Sequence, residues 1–287
     1  MNDREQSEMD TYMERTLDET APALRPFLGK GNNVLDVGCG PGTITLDVAR
    51  AVTPGRVVGF DHVEHRIAKA RSLAVEQACQ NASFEIGDAN ELPYDDETFD
   101  VVYSHTVLHY FWNPEHALSE QKRVLKNGGW LVAAGVRDVG LVKRYPECPM
   151  WDAVLQARIR FSNAVKDRKA HFEWDRRPCL AFHETGRRCP EWFSRLGMRD
   201  IQVNVEPYRL QYRDADGMEP SPHDLLPWGF DDPIGYHADY GLEYEAMIDQ
   251  GFLDRNTLAL AMSEAKQWFN YPGAFHFSAM IHVAGRK

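Results

Sequence analysis

The feature that most constrains this 287-residue chain is a change of texture near residue 38. Asn33–Val37 is a short run of strand-forming residues. Gly38-Cys39-Gly40-Pro41-Gly42 follows at once, and a helical pattern runs from about Gly42 to Ala51. Glycine lets a backbone turn tightly and lets a ligand approach it closely. Strand, glycine turn and helix in that order place a ligand site at the carboxyl end of a strand in a parallel α/β sheet. The dinucleotide pattern is G-x-G-x-x-G with phosphates on the helix N-terminus. Here the spacing is G-x-G-x-G, and Pro41 removes one N–H donor. An ordinary tight turn uses the same residues, so the neighbouring segments carry the weight.

Those segments repeat the strand–helix unit. After the turn Thr53-Pro54-Gly55 comes a second strand, Arg56–Phe60, and Val63, Ile67, Ala70 and Ala74 then fall on one helical face. Ser83–Ile86 and Phe99–Tyr103 read as the third and fourth strands. Asn113-Pro114 reads as N-cap and first turn of a helix that Asn127-Gly128 ends, and Trp130–Val136 is a fifth strand. Strands alternating with helices predict a parallel sheet with helices on both faces. The later half is less regular. It offers a helix through Trp151–Val165, a short helix led by Pro190, a strand at Asp200–Val205, a helix through Leu258–Phe269 and a closing antiparallel strand at Ala274–Val283. The expected organisation is an N-terminal helical segment over 1–32, an α/β core over 33–137, and the rest of the sheet over 138–287 with insertions at about 141–184 and 206–273.

The strand ends are chemically apt. Asp61 ends the second strand about 20 residues past the loop, where a carboxylate can take both ribose hydroxyls. Gly87-Asp88-Ala89 ends the third, and the Asp88 carboxylate can accept an exocyclic amine. Tyr103-Ser104-His105 ends the fourth. Each Asp alone is an everyday turn or cap residue. Four such termini in order on one sheet edge are hard to assign to turns.

The run Val34–Ala49 with Asp61, the stretch Gly87–Asp100 and Leu125-Lys126-Asn127-Gly128-Gly129 resemble the class I S-adenosylmethionine (SAM)-dependent methyltransferases, most closely the ubiquinone/menaquinone-biosynthesis C-methyltransferase-like superfamily. The resemblance covers roughly residues 11–136. It implies a Rossmann-like, seven-stranded, mostly parallel sheet with an antiparallel last strand and helical or loop insertions forming a substrate lid. It implies the Gly38–Gly42 loop against the methionine part of SAM, Asp61 on the ribose, and Asp88, His62 and Ala89 at the adenine, with Asp36, Gly38, Cys39 and Gly40 among the cofactor-binding residues. It also implies an N-terminal helix over the cofactor, here Tyr12-Met13-Glu14-Arg15-Thr16, with Arg66, Ser104 and His105 completing the cofactor set. The product would be S-adenosylhomocysteine (SAH). Past residue 137 the resemblance is one of architecture: about 70 residues separate Val205 from Ala274, where the family's last two strands follow closely.

Composition narrows the acceptor. Net charge is −11, from 32 basic and 43 acidic residues. A nucleic-acid footprint needs clustered Lys and Arg, and the amino-methylating N/D-P-P-Y motif is missing from Ser104-His105-Thr106-Val107. No nucleic-acid partner and no membrane span are expected, since no apolar run approaches about 18 residues. Cys39, Cys79, Cys148, Cys179 and Cys189 form no C-x-x-C pair, and His183, His223, His276 and His282 show no tight ligand spacing, so no metal site is expected. Cys148, Cys179 and Cys189 as a thiolate trio, as in arsenite methylation, match no motif. Met1–Asp10 is polar and acidic, which favours a cytoplasmic protein over a secreted one.

Methyl transfer needs nucleophile, methyl and sulfur in line, and needs a base only if the nucleophile arrives protonated. His105, His109, Tyr110 and Trp112 stand just after the fourth strand. His105 and His109 are the catalytic candidates, beside the alternative that each is a structural histidine. Tyr208, Tyr212, Trp228, Phe230, Tyr236, His237 and Tyr240 suit a lid over an apolar or aromatic small acceptor, or equally a small core of the insertion itself. Two other readings stay open: a SAM-binding protein of this fold without methyl transfer, and a protein or RNA methyltransferase.

Overall fold

The computed structural model describes residues 9–10, 12–111, 113–138, 141, 143–165, 184–212, 238–269 and 271–287. Its strands are β1 (Val34–Val37), β2 (Val57–Asp61), β3 (Ala82–Ile86), β4 (Phe99–His105), β5 (Leu125–Arg137), β6 (Lys143–Tyr145), β7 (Arg199–Tyr212) and β8 (Phe275–Arg286). Its helices, in chain order, are α1 (Leu17–Thr20), α2 (Thr43–Val52), α3 (Glu64–Glu76), α4 (Pro114–Val124), α5 (Pro149–Val165), α6 (Thr185–Arg195), α7 (Ala238–Asp249) and α8 (Arg255–Phe269).

The sheet runs β3-β2-β1-β4-β5-β8-β6, with β7 also pairing β8. The first five strands are parallel to their neighbours and β8 is antiparallel to β5. Thus the Rossmann-like, mostly parallel sheet with an antiparallel final strand is what forms, and helices pack around it. The expected seven strands gain an eighth: β6 pairs Lys143–Tyr145 with Phe275–Phe277. A three-residue strand carries too little periodicity to announce itself.

Two boundaries differ from the sequence reading. Helix α4 stops at Val124, and Leu125 is already paired with Phe99, five residues before the expected strand start. Asn127-Gly128 is therefore a bulge inside β5, with Gly128 at φ 79°, not a helix terminus. Helix α6 begins at Thr185, so Pro190 lies inside it. The missing N–H there costs one helical bond, while Thr185, Cys189, Trp192 and Phe193 bury one stripe of the helix.

The chain forms two compact units. The first comprises Met1–Arg137, Thr185–Glu206 and Met280–Lys287; the second comprises Asp138–Glu184 and Pro207–Ala279. In the first, α1, α2 and the sheet bury Leu17, Leu24, Val34, Val48, Val52, Val101 and Tyr103, while Leu46, Ile67, Leu73 and Phe84 close a neighbouring cluster. In the second, Trp151, Val154, Phe161, Met247, Leu253 and Ala261 make a separate core. Among the described residues, no helix is long and apolar enough to cross a membrane.

Candidate functional site

Strand order reverses between β1 and β4: the chain leaves β1 toward β2 and leaves β4 toward β5. Loops after these strands diverge and leave a crevice at their carboxyl ends. Gly38-Cys39-Gly40-Pro41-Gly42 lies there. Gly38 has φ 82°, and a Cβ on it would stand 2.3 Å from the Val107 side chain, so the β1 and β4 turns touch backbone to side chain. Gly40 has φ 56°, but a Cβ on it would meet nothing within 4 Å. The loop is thus tight against the protein at one glycine and open at the next.

Asp61 sets the shape of that open stretch. Its carboxylate accepts from the Gly40 N–H (2.9 Å) and the Val63 N–H (2.9 Å), and the residue is 5% exposed. His62 follows, half exposed, with Nδ1 3.5 Å from Asp61. At the next strand end, Asp88 is exposed, and its Oδ1 accepts from the backbone and side-chain amides of Asn90 (2.8 and 2.7 Å). Ala89 is buried beside it. The sequence reading missed what holds this loop. Arg123 on α4 donates to the carbonyls of Leu92 (2.8 Å) and Tyr94 (2.8 Å) and to Glu120 and Asp96, while Glu120 accepts from the Leu92 N–H. Glu120 and Arg123, at i and i+3, are the only local hint, and they read as a solvated helix pair.

Asp36 is placed under the loop, on β1. Its Oδ2 accepts from the Thr45 hydroxyl (2.6 Å) and the Tyr103 hydroxyl (2.7 Å). Burial pushes its pKa up to about 7 against the lowering effect of those two hydrogen bonds, with Asp61 adding to the rise. Cys39 stands beside it with a thiol pushed up by burial and by Asp36.

The N-terminal segment docks on this edge. The carbonyl of Tyr12 accepts from Thr43 (3.2 Å), and Arg15 donates to Thr106 (3.1 Å). The Leu17 N–H donates to Asp47 (3.0 Å). The guanidinium groups of Arg15 and Arg66 both stack on the Tyr12 ring, at 4.6 and 5.2 Å. Thr106 holds a left-handed φ of 55°, a strained conformation for a β-branched residue. The Thr16 hydroxyl acts locally, capping α1 by accepting from the Glu19 N–H.

His105 and His109 differ in setting. His105 is 7% exposed, and its Nε2 lies 3.0 Å from the Thr20 carbonyl, which can only accept. That nitrogen therefore carries the proton. Burial and then Arg15 lower the His105 pKa to about 3. His109 is buried on a short 3-10 turn, with its ring 4.3 Å from the Tyr110 ring. Ser104 is buried, and its Oγ has no hydrogen-bond partner among the described residues. Trp112, Cys179, His183, His223, Trp228, Phe230, Tyr236 and His237 lie outside the described residues, as do the side chains of Tyr208, Tyr212, Tyr240 and His276. Cys39, Cys79, Cys148 and Cys189 are free thiols. Burial pushes Cys148 up to about 11 and Cys189 well above its ordinary value, so neither is a thiolate near neutrality.

The methyltransferase-domain family model matches residues 28–177, just over half the chain. The chain belongs to the class I SAM-dependent methyltransferases. An uncharacterized methyltransferase of Schizosaccharomyces pombe is 35% identical over 160 residues, covering 53% of this chain and 57% of that protein. The demethylmenaquinone methyltransferase of Listeria monocytogenes is 33% identical over 144 residues, covering 50% and 57%. The chain spans about half the length of the curated relatives it matches. The YcgJ protein of Bacillus subtilis shares the fold at 17% identity, with a TM-score of 0.52 and coverage of 93% of this chain and 97% of that one. SAM is the cofactor of this family, and the residues present fit it. The open side of Gly40, the polar strand ends and the carboxylate of Asp61 offer a polar cradle of the right chemistry for a nucleoside joined to an amino acid.

Proposed function

We propose that this methyltransferase-family chain transfers a methyl group from SAM to a small, apolar or aromatic acceptor, leaving SAH. The observation that carries the reading is Gly40, held by Asp61 in a left-handed turn with open space where a side chain would stand. SAM, when bound, supplies an electrophilic methyl on a positively charged sulfur. The chain's part is to orient and to exclude water. Asp61 is the ribose acceptor in this reading, Asp88 serves the adenine amine, and Tyr12 with Arg15 covers the site from the N-terminal side.

The histidines divide the remaining work. A ring whose pKa is about 3 is a poor proton acceptor near neutrality. His105 therefore serves the cofactor side by fixing the Thr20 carbonyl and with it the covering segment. His109 is the candidate base on the acceptor side, needed only for an acceptor that arrives protonated. A net charge of −11 supports a small neutral or cationic acceptor over a nucleic acid. The aromatic-rich insertion supports an apolar one, and the free thiols support a reducing, cytoplasmic setting.

Binding of SAM and SAH by calorimetry, followed by SAH release with a panel of phenols, quinones, amines and thiols, tests this. Turnover on a small acceptor supports it. SAH release only with protein or RNA overturns the small-acceptor part, and tight SAM binding without turnover on any acceptor favours a binding or cyclase-like role. With a protonated acceptor, His109→Gln lowers kcat by about a hundredfold while SAH affinity holds. An unchanged kcat removes His109 from the chemistry.

A further inference from the structure

Asp36, Thr45 and Tyr103 form a buried polar cluster behind the glycine loop, 3%, 0% and 0% exposed. Asp36 and Tyr103 are Cα partners across β1 and β4, and Thr45 lies in the first turn of α2. Two hydroxyls from two different elements thus converge on one oxygen of one carboxyl, Oδ2, at 2.6 and 2.7 Å. No cation among the described residues pairs with Asp36, and the one positive charge felt at the neighbouring Cys39 is that of Arg66, which is not among the groups that shift Asp36. Tyr103 and Cys39 are both pushed toward their neutral forms by burial, Asp61 stands at the end of the adjacent strand, and His105, farther along β4, is a neutral ring near neutrality.

The two influences on Asp36 oppose each other. Burial favours the protonated carboxyl, whereas two donated hydrogen bonds favour the carboxylate. The outcome leaves the group balanced near neutrality, at about 7. A carboxyl used only to brace a sheet has no need of that balance, since an amide would accept the same bonds. A neighbouring positive charge would tip it toward the ionised form. The loop that begins two residues after Asp36 is the one that receives a sulfonium in the proposed function.

We propose that Tyr103 and Thr45 are positioning residues that poise Asp36 to release its proton to solvent when SAM occupies the adjoining loop. The inference rests on the SAM-binding reading of that loop. It gives the protein a means of telling SAM from SAH, because SAH lacks the sulfonium charge and its methyl and shares everything else. SAM affinity then falls by up to about tenfold per pH unit below pH 7, the limit for a single linked proton. SAH affinity falls less.

Calorimetric titration of the full chain with SAM and with SAH, across about pH 5.5 to 8.5 and in two buffers of different ionisation enthalpy, tests this. The sulfonium of SAM acidifies that ligand's own ammonium relative to that of SAH, so the SAM/SAH ratio is read below about pH 7, where both ligands carry a protonated amine. The expected result is a ratio that rises with pH and levels off near 7, with a fraction of a proton released on SAM binding below that point. Tyr103→Phe and Thr45→Val each remove one donor from Oδ2, so each moves the inflection to higher pH, and Asp36→Asn abolishes it. Thermal melts show which variants fold, and either single-donor variant suffices. A merely structural role would change the melting temperature and leave the inflection in place. A pH-independent ratio, an inflection unmoved in a folded donor variant, or one that survives in Asp36→Asn overturns this inference alone. Failure to bind SAM or SAH at any pH overturns the methyltransferase reading and this inference with it.

Discussion

The carboxyl edge of β1–β4 and the core of the second unit are built from different materials. At the edge, polar groups are held in place by several hydrogen bonds each. Asp61 takes two backbone amides, Asp36 takes two hydroxyls, and Arg123 spans two carbonyls and two carboxylates. The second unit holds together by apolar packing of α5 with α7 and α8, through Trp151, Phe161, Met247 and Ala261. Its polar contacts are accessory: Arg144 stacks on Trp151 at 5.2 Å, and Glu264 accepts from the Trp151 N–H at 3.0 Å. Geometry of the first kind fixes atoms to within the tolerance a ligand needs. Packing of the second kind tolerates changes of side chain as long as volume is kept.

The largest expected effect tests the independence of the two materials. Phe161 is 1% exposed and meets Phe252 edge-on at 5.6 Å. Phe161→Ala should destabilise the second unit by about 3–5 kcal/mol through the cavity it leaves. SAH affinity should stay within about twofold, as for sites that share no partners. Chemical denaturation followed by calorimetry checks both, and a large loss of SAH binding in the folded variant would break the comparison.

Next in size is Asp61→Ala. It strands the Gly40 and Val63 amides and frees the loop, at about 1–3 kcal/mol for each buried donor left unmet. SAH affinity should fall on the order of a hundredfold. An affinity within threefold of wild type would mean the loop does not need its carboxylate.

How far the sequence disclosed this arrangement follows from which contacts are local. Gly38–Gly42, Asp61 and Asp88 were legible because each stands where a β-rich run ends, and strand ends in a parallel sheet share one edge whatever the register. Tyr103 stands in the sequence only as part of the fourth strand's end, with nothing to mark it as a partner of Asp36. Its pairing with Asp36 depends on β1 lying beside β4, 67 residues apart in sequence. Arg123 was hidden for the same reason, since its carbonyl partners belong to a loop about 30 residues upstream that carries no regular pattern. Thr16-Leu17-Asp18-Glu19 has the spacing of a capping box, and the hydroxyl caps α1. The misplaced end of α4 came from reading Asn127-Gly128 by its most common use, when a bulge in a long strand calls for the same glycine.

Arg123→Ala is the third expected effect. It removes charge-assisted bonds to the Leu92 and Tyr94 carbonyls, but about a third of the side chain is exposed. The stability loss is accordingly only about 1 kcal/mol. SAH affinity should fall by about fivefold, because the freed loop begins at Asp88 and Ala89. Arg123→Lys should recover little, since one ammonium cannot reproduce the fork. Full recovery by lysine would show that charge, not the hydrogen-bond geometry, holds the loop.

The smallest effect lies at the junction of β5 with β8. A register shift between Ala133 and Val136 leaves Gly135 out of the ladder, and its N–H donates to His282 Nδ1 at 3.2 Å. Nδ1 must therefore be unprotonated, which places the proton on Nε2, facing Glu206 at 3.4 Å. Burial lowers the His282 pKa below its ordinary 6.5, and Glu206 works against that lowering. A histidine with a depressed folded pKa lets the unfolded chain bind the proton first, so its share of stability is lost as pH falls below about 6.5. Glu206→Gln depresses the folded value further and steepens that loss. His105 adds a loss of the same sign, but it is common to both proteins and cancels in the difference. Glu206 is 38% exposed, so solvent screening holds the effect below about 1 kcal/mol, or about 2 °C in melting temperature near pH 5.5. The two melting curves should merge above pH 7. A gap that widens with rising pH would reverse the assigned protonation of His282 and, with it, the reading of the Gly135 N–H as a donor to that ring.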